Sequence, residues 1–353
     1  MDRPFRPQAT CAGGDLMGSL LPCRPKPRPD ELLSSWLIRL ADMYRMRLRD
    51  FMQFLGIAWH FHSSDIDRLA PEPLLAQLSE MTGTALHEAM GTLLRNRVRL
   101  LPVSEVQIES PSWAWLIPLG HSRRSGRMAG YQFCPVCLAT DPPYFRWQWS
   151  VALCCCCIVH RTLLTDRCPG CASAIHSNPH GLLGALRTLG DDQPFSLERC
   201  TNCRFDFRRA QVQLAPESLI QSQSSYENLM RTKGQGTEVI EFFAVLRQIV
   251  SLLFGENRGL EELRQVVARR SGAPRIDMPN PYEPDAEILS FEEADVHARA
   301  AVLNAAGWLI QDWPTRFVTC CRDAEVRHPA LNRKGVVSVR WFLEATVSAY
   351  EPN

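Results

Sequence analysis

The chain has 353 residues, 45% of them hydrophobic, and its 39 Lys and Arg residues nearly balance 38 Asp and Glu residues, giving a formal net charge of +1. This length and composition predict two or three domains with hydrophobic cores of their own. The charge balance excludes a chain that is basic over its whole surface, so any contact with nucleic acid must be a local patch. No segment has the composition of a signal peptide or of a membrane span, which predicts a cytoplasmic protein without membrane contact.

The first 29 residues are rich in proline, from Pro4 to Pro29. Proline fixes φ and lacks a backbone N–H, and the segment shows no apolar periodicity, so we expect an extended arm over residues 1–29 rather than a domain. Such an arm could carry partner contacts or could be a disordered tail without a role.

Helical periodicity begins after Asp30, which we expect to cap the helix of ELLSSWLIRLADMYRM. A second helix, LRDFMQFLG, should end at Gly56. Residues 30–112 are therefore predicted to form a helical domain.

Within this domain, PEPLLAQLSEMTGTALHEAMGTLL predicts two helices joined by a turn at residues 82–84, the outline of a helix-turn-helix. A small helical bundle without a nucleic-acid role is an equally good interpretation, because the second helix, ALHEAMGTLLRNRVR, carries its arginines only near its end. The candidate nucleic-acid or partner contacts there are Arg95, Arg97 and Arg99.

The stretch WAWLIPLGHSRRSGRMAGY predicts one or two strands. Its connecting turn carries Arg123, Arg124 and Arg127, which could contact phosphate or form an ordinary solvated loop.

Four paired Cys and His units follow in FCPVC, CCCCIVH, RCPGC and RCTNC. Zn²⁺ takes four Cys or His ligands, and a C-x₂-C turn places two thiolates on one ion, so four units predict two zinc ions per chain. Both sets would be closed by protein ligands, which is typical of structural zinc. The predicted first set is Cys134, Cys137, Cys157 and His160, and the second is Cys168, Cys171, Cys200 and Cys203.

One alternative remains open in the run of four cysteines. Cys154 and Cys157 are also spaced as C-x₂-C, so Cys154 could replace His160 in the first set. If it does not, residues 154–156 should be small buried side chains in a short strand. Residues 113–220 are predicted to be a tandem zinc module, with the aromatic run YFRWQW in its core rather than on a base-stacking surface.

The remaining residues, 221–353, predict a helical domain for docking or dimerisation. Residues 221–237 and 272–287 have linker composition. Helices are expected in EFFAVLRQIVSLLF, LEELRQVVARR, FEEADVHARAAVLNAAGWLI and VVSVRWFLEATVSAY. No phosphate-binding loop, dinucleotide fingerprint or zinc-protease motif occurs, so we expect no enzyme.

The motifs LPCRPKPRPDELLSSWLIRLA, FCPVCLATDPPYFRWQW, CIVHRTLLTDRCPGC and RCTNC resemble the TniQ family of transposition proteins, relatives of the TnsD target selectors. The tail segment ARAAVLNAAGWLIQDWPTRFV is similar to the family as well. The resemblance implies a mainly α fold with small zinc-ribbon or knuckle β elements, in which the family's zinc ligands correspond to the eight residues of the two sets.

The resemblance also implies a function: a non-catalytic bacterial adaptor that links a target-recognition component to the AAA+ ATPase regulator of the transposase. That component would be an RNA-guided CRISPR effector complex or attachment-site DNA, and homodimers occur in the family. The alternative is an autonomous sequence-specific DNA-binding protein, either a TnsD-like selector or a transcription regulator. By resemblance, the candidate ATPase-docking residues are Leu21, Pro22, Arg24, Leu33 and Trp36.

Overall fold

The described part of the chain is mainly helical, with thirteen α-helices and two sheets of two strands each. This confirms the fold class predicted from the periodicity and the paired cysteines. A computed structural model describes residues 20–57, 66–98, 115–121, 128–140, 142–175, 196–231, 237–254, 260–272, 290–326, 331 and 340–349.

The N-terminal helices enclose a core of their own, built from apolar residues between Leu21 and Leu93. Residues 20–32 lie against these helices without regular secondary structure, and the backbone N–H of Leu21 donates to Met81 O at 2.8 Å. The helices are α1 (Leu33–Met43), α2 (Leu48–Phe54), α3 (Ile66–Leu69), α4 (Glu72–Thr82), α5 (Leu86–Met90) and α6 (Leu94–Arg97).

The ends of these helices test the predicted boundaries. Gly56 follows α2 with φ of 68°, a left-handed conformation that glycine adopts without strain, as predicted. The prediction that Asp30 caps α1 is wrong, since the helix begins at Leu33 after Leu32 without a side-chain cap. Asp30 instead accepts a hydrogen bond from Tyr144 and pairs with Arg146, so its carboxylate serves a tertiary contact.

The predicted helix pair around Gly83 is only partly present. Gly83 ends α4 with φ of 63°, and α5 follows as the second helix. The single helix predicted over ALHEAMGTLLRNRVR is wrong, because α5 stops at Met90 and α6 starts only at Leu94. The side chain of Thr92 bonds back to Ala89 O at 2.7 Å in the break, a local bond that competes with helix continuation.

The described residues in the middle of the chain, between 115 and 210, form only short helices and strands. Helix α7 (Pro135–Leu138) is a single turn, and two antiparallel pairs join β1 (Gly120–His121) to β2 (Met128–Ala129) and β3 (Cys156–Cys157) to β4 (Thr162–Leu163). Cys156 lies opposite Leu163 and Cys157 opposite Thr162. The predicted one or two strands before the cysteines are thus the short pair β1 and β2.

The C-terminal part is helical, and four of its predicted helices are present. The predicted linker over residues 221–237 is wrong for residues 221–231, which belong to a helix, so the domain boundary predicted at residue 220 falls inside that helix. The linker predicted over 272–287 lies, except for Gly272, outside the described residues. The helices are α8 (Glu217–Arg231), α9 (Thr237–Leu253), α10 (Glu261–Ser271), α11 (Val296–Gln311), α12 (Thr315–Asp323) and α13 (Arg340–Ser348).

Helix α1 stands between two hydrophobic cores. Leu33, Trp36 and Leu37 pack into the N-terminal core, whereas Ile38 and the preceding Leu32 pack into a second, larger core. That larger core contains the apolar residues of the cysteine-rich middle region together with those of the C-terminal helices. The cysteine-rich region therefore shares its core with the C-terminal helices and does not depend on its own small apolar volume.

Candidate metal centres

The first set of predicted ligands is brought together in the larger core. Nδ1 of His160 lies 3.5 Å from Sγ of Cys134, 3.2 Å from Sγ of Cys137 and 3.4 Å from Sγ of Cys157. The Sγ atoms of Cys137 and Cys157 are 3.6 Å apart. The three cysteines are buried and His160 is half-buried. Cys154 is not part of this group, so the arrangement favours His160 over the alternative ligand.

Two local structures present these four side chains. Cys134 is the N-cap of α7, so its sulphur and that of Cys137, one turn later, point to the same place. The β3–β4 hairpin supplies the other pair, with Cys157 at the end of β3 and His160 in the turn. Thr165 on the continuation of β4 exchanges backbone hydrogen bonds with Phe133, both at 2.9 Å, and this pairing fixes α7 against the hairpin.

The second set of predicted ligands is also brought together, in a more exposed place. The Sγ atoms of Cys168 and Cys203 are 3.5 Å apart, and those of Cys171 and Cys200 are 3.8 Å apart. Cys168 and Cys200 are buried, Cys171 is half-buried and Cys203 is exposed. All four sulphurs lie within 4.8 Å of one another.

Three of the four ligand turns share one backbone conformation. The residue after the second ligand is left-handed in each, with φ of 57° at Arg161, 57° at Ala172 and 64° at Arg204. Its N–H donates to the carbonyl of the first ligand, at 2.7, 2.8 and 3.0 Å respectively. A left-handed residue ends a short helical turn abruptly, so both ligand side chains stay on one side of the loop. The fourth turn, from Cys134 to Cys137, differs because the residue after its second ligand, Leu138, is still part of the right-handed helix α7.

The sulphur separations fit a metal ion better than a disulphide bond. A disulphide requires sulphurs about 2.0 Å apart, much less than the 3.5 to 3.8 Å found here. Four ligands at zinc bond lengths of about 2.3 Å for sulphur and about 2.0 Å for nitrogen, in a tetrahedron, place sulphurs about 3.8 Å from each other and about 3.5 Å from nitrogen. Both clusters could therefore hold a metal ion, and their soft thiolate and imidazole donors are those that zinc prefers.

Polar neighbours favour thiolate at particular sulphurs. In the first cluster, hydrogen bonds from Cys137 and Cys157 lower the pKa of the Cys134 thiol to about 2. In the second, burial opposes ionisation of Cys171, but hydrogen bonds from Ser173 and Asn202 outweigh it and lower the pKa to about 6. Oγ of Ser173 lies 3.1 Å from Sγ of Cys171. In the same clusters, hydrogen bonding to the Cys134 sulphur raises the pKa of Cys137 and Cys157, and burial raises the pKa of Cys168 and Cys203. A metal is bound by thiolate rather than thiol, so its binding would displace protons from these sulphurs.

The extra cysteines of the CCCC run are structural side chains. Cys154, Cys155 and Cys156 are buried, and burial raises the pKa of each thiol, which keeps them neutral. The backbone N–H groups of Cys155 and Cys156 both donate to Oε1 of Gln223, at 2.8 Å. Nε2 of Gln223 donates in return to the carbonyl of Cys156 at 2.6 Å. The Gln223 side chain on α8 thus satisfies backbone groups of β3 as a neighbouring strand would, which explains why a polar side chain of this helix is buried.

A second buried polar contact joins α11 to the same region. The guanidinium of Arg299 is 1% exposed and donates to Ala294 O at 2.9 Å and to Oε1 of Gln132 at 3.2 Å. It also lies 3.9 Å from the carboxylate of Asp166, two residues before Cys168. Arg299 follows the predicted linker by more than ten residues, and no sequence signal pointed to its role.

The aromatic run YFRWQW connects the cysteine-rich region to the N-terminal helices. The N–H of Leu32 donates to Phe145 O at 3.0 Å, and the N–H of Phe145 donates to Oγ of Ser35 at 2.9 Å. The N–H of Trp147 donates to Asp30 O at 3.0 Å. The two motifs DELLSSW and YFRWQW therefore form one interlocked interface. Phe145, Trp147 and Trp149 are core residues, as predicted, whereas Tyr144 is half-buried outside the core.

Two of the arginines predicted to contact nucleic acid or a partner, Arg95 and Arg97, form hydrogen bonds within the chain instead. Nη1 of Arg95 donates to Arg68 O at 3.2 Å, and Nε of Arg97 donates to Gly91 O at 2.6 Å while its Nη2 donates to Pro29 O. Both half-buried side chains thus bind the backbone of their own chain. The other four candidates for nucleic-acid or partner contact lie outside the described residues: Arg99, Arg123, Arg124 and Arg127.

The candidate ATPase-docking residues divide by exposure. Leu21, Leu33 and Trp36 are fully buried in the N-terminal core, so their side chains shape the arm and α1 from inside. Pro22 and Arg24 are exposed. Only these two offer a partner a side chain in this conformation, and the ATPase contact stays a prediction.

The fold and the two clusters define a mainly helical protein with two cysteine clusters that could form zinc-binding knuckles. Within it, residues 22–164 match the model of the TniQ family, which confirms the resemblance for that part of the chain. The match covers the N-terminal helices and the first cluster and ends before Cys168. It indicates a function associated with target selection in transposition. No curated protein matches the chain. None of the described helices combines the length and apolarity that crossing a membrane requires.

Proposed function

We propose that the chain binds two zinc ions, one in each cluster. Cys134, Cys137, Cys157 and His160 would hold the first, and the four cysteines of the second cluster, Cys168, Cys171, Cys200 and Cys203, would hold the other. Zinc bound by four protein ligands has no open position for water, so it would act as a structural crosslink. Elemental analysis of the purified chain tests the proposal: two zinc ions per chain are expected, and one or none would contradict it.

On this scaffold, we propose a non-catalytic adaptor that connects a target-recognition component to the AAA+ ATPase regulator of a transposase. The TniQ match over residues 22–164 carries the proposal. The interlocked DELLSSW and YFRWQW motifs lie inside the match, so hydrogen bonds join the N-terminal helices to the cysteine-rich region within the part shared with the family. The exposed arm residues Pro22 and Arg24 on that unit are the proposed ATPase contact, and the C-terminal helices are left for a target-recognition component or a second copy of the chain.

Co-purification tests this function. The full chain is expressed together with an AAA+ ATPase regulator of a transposase, and a stable complex is expected. Changing Arg24 to Glu should weaken that complex, because the exposed guanidinium would be replaced by a carboxylate of opposite charge. Arg340→Glu is the matched control, since Arg340 is exposed on α13, far along the chain from the arm. An ATPase that fails to bind the wild-type chain would overturn the proposal.

A sequence-specific DNA-binding protein is the alternative, and the α4–turn–α5 arrangement is the observation that favours it. It predicts tight binding to one duplex over random duplexes, by roughly a thousandfold or more. The adaptor predicts weak binding without such a preference. Binding to a candidate attachment site and to a random duplex of equal length separates the two.

A further inference from the structure

Residues 22–28 carry three cations that point outward at regular spacing. The sequence R-P-K-P-R alternates cation and proline, and the exposure alternates with it: Arg24, Lys26 and Arg28 are exposed, while Pro25 and Pro27 are half-buried against the helices. In an extended chain every second side chain lies on the same face, about 6.6 Å from the last. We name these three residues the cationic ridge.

The helical domain holds the ridge rigidly. Nε1 of Trp36 donates to Pro25 O at 2.8 Å, and the N–H of Cys23 donates to the hydroxyl of Tyr44 at 2.9 Å. The prolines restrict φ between the cations. A partner therefore meets three charges whose backbone is already ordered, and binding loses little conformational entropy.

The ridge also differs electrostatically from the other charged surfaces. Among the described residues, the exposed arginines of α10 and α13 pair with carboxylates, as in Arg269 with Glu262 and Arg340 with Glu344. Arg24 and Arg28 form no salt bridge to any described residue, and Lys26 has only the exposed Glu88 at 3.9 Å.

We propose that the cationic ridge binds the phosphodiester backbone of a nucleic acid. Cations at a constant step match a polymer with one charge per repeat, and the arginine fork suits phosphate oxygens. The ridge contains no aromatic side chain to stack on bases, so the contact is independent of base sequence. The ridge borders the α4–turn–α5 segment, where Nε of Arg24 lies 3.9 Å from the position that a Cβ on Gly83 would take. This role goes beyond the adaptor function, which requires no nucleic-acid contact from the arm.

The experiment measures binding of the full chain to labelled random-sequence nucleic acid at salt concentrations between about 50 and 200 mM. Duplex DNA, duplex RNA and single strands are separate arms, so that the source of the phosphates is identified. The logarithm of the affinity should fall linearly with the logarithm of the salt concentration. The triple variant Arg24→Gln, Lys26→Gln, Arg28→Gln should reduce that slope by about three, and the double variant Lys26→Gln, Arg28→Gln by about two.

The matched control removes three exposed cations elsewhere. Arg269→Gln, Arg270→Gln, Arg340→Gln causes the same change in net charge on the C-terminal helices and should leave the slope unchanged. Equal losses in both triple variants would show a nonspecific charge effect and overturn the proposal. So would an unchanged slope in the ridge variants, or no binding by the wild-type chain in any arm.

Co-purification with the ATPase distinguishes the nucleic-acid proposal from the adaptor proposal. The double variant retains Arg24, the residue assigned to the ATPase. If this variant loses nucleic acid and keeps the ATPase, the ridge binds phosphate as proposed. If it loses the ATPase and keeps nucleic acid, the ridge is a protein-docking surface and the present inference is wrong, while the adaptor function stands. Unchanged circular dichroism and metal content ensure that the compared proteins are folded.

Discussion

The two candidate metal centres have nearly the same donor chemistry but different surroundings. The first lies in the larger core, where Cys134, Cys137 and Cys157 are all buried. The second contributes Cys168 and Cys200 to the same core but leaves Cys203 exposed, and nearby Phe207 packs on Phe133 with ring centroids 4.6 Å apart. The difference in exposure predicts that loss of a metal from the first cluster would destabilise the larger core more than loss of a metal from the second.

The largest effect should follow loss of a ligand in the first cluster. Cys157→Ser should lower bound zinc from two ions to about one and reduce the free energy of unfolding by about 6 kcal/mol or more, because structural zinc contributes about 10 kcal/mol or more in isolated fingers. Elemental analysis and denaturant titration measure both quantities. Cys154→Ser is the control, since it lies three residues away outside the cluster and should keep both ions. Zinc loss in that control would instead assign Cys154 as a ligand.

A ligand change in the second cluster should cost less. Cys168→Ser should also lower zinc from two ions to about one, but the free energy of unfolding should fall by only about 3–5 kcal/mol, since the larger core keeps its other contacts. Limited proteolysis should then cut between residues 168 and 203 while leaving the rest protected. Unchanged metal content would refute the second set of ligands, and a loss as large as that of Cys157→Ser would remove the difference between the clusters.

The third prediction concerns the buried arginine that joins α11 to the first cluster's surroundings. Arg299→Met should lower the free energy of unfolding by about 3 kcal/mol, because the buried Gln132 amide loses a donor and the half-buried Asp166 carboxylate loses a positive neighbour. Denaturant unfolding measures the change. Arg340→Met, at a side chain that is 92% exposed, should change it by less than about 0.5 kcal/mol. Equal effects of the two substitutions would mean that the buried contacts of Arg299 contribute no more stability than an exposed arginine does.

The contact of α8 with α11 can be tested at a glycine. A Cβ at Gly307 would lie 2.3 Å from Oγ of Ser222, so Gly307→Ala should destabilise the protein by about 2 kcal/mol. Adding Ser222→Ala should recover part of the loss, because the opposing hydroxyl is removed. Thermal unfolding of the single and double variants measures this coupling, and strictly additive effects would show that the two helices adjust without strain.

The smallest effect distinguishes the left-handed turns of the second cluster from the helical turn of the first. Ala172 has φ of 57°, so Ala172→Gly should stabilise the protein by about 0.5 kcal/mol as the strain disappears. Ala139 follows α7 with φ of −74°, so Ala139→Gly should destabilise it by a similar amount. Thermal unfolding measures both changes. Equal signs would show that the backbone conformation at Ala172 costs nothing.

Local patterns in the sequence predicted the features that depend on neighbouring residues. The C-x₂-C spacing identifies sulphurs that one turn of backbone brings together, as in Cys168 and Cys171. Apolar periodicity identifies helices such as α1 and α9, whose buried faces repeat with the helical period.

Predictions from composition were wrong where polar residues are buried against partners that are distant in the chain. The segment QSQSSYENLMR has the composition of a linker, yet Gln223 is buried because it bonds the backbone of β3, and Glu227 is buried beside it, where it accepts a hydrogen bond from Gln223. Asp30 has the character of a helix cap, yet Arg146 lies close enough to take its carboxylate. Neither partner is recognisable without the tertiary fold.

The shared core sets a limit on how this protein can be divided. Cutting the chain after Leu164 would keep the family-matched segment but would deprive Phe133 of the Phe207 ring, β3 of Gln223, and the backbone N–H of Trp115 of its acceptor on Glu292. A fragment of that kind would expose apolar residues that are buried in the full chain, and it would aggregate. Recombination in evolution, like truncation in the laboratory, must therefore transfer the cysteine-rich half and the helical tail together.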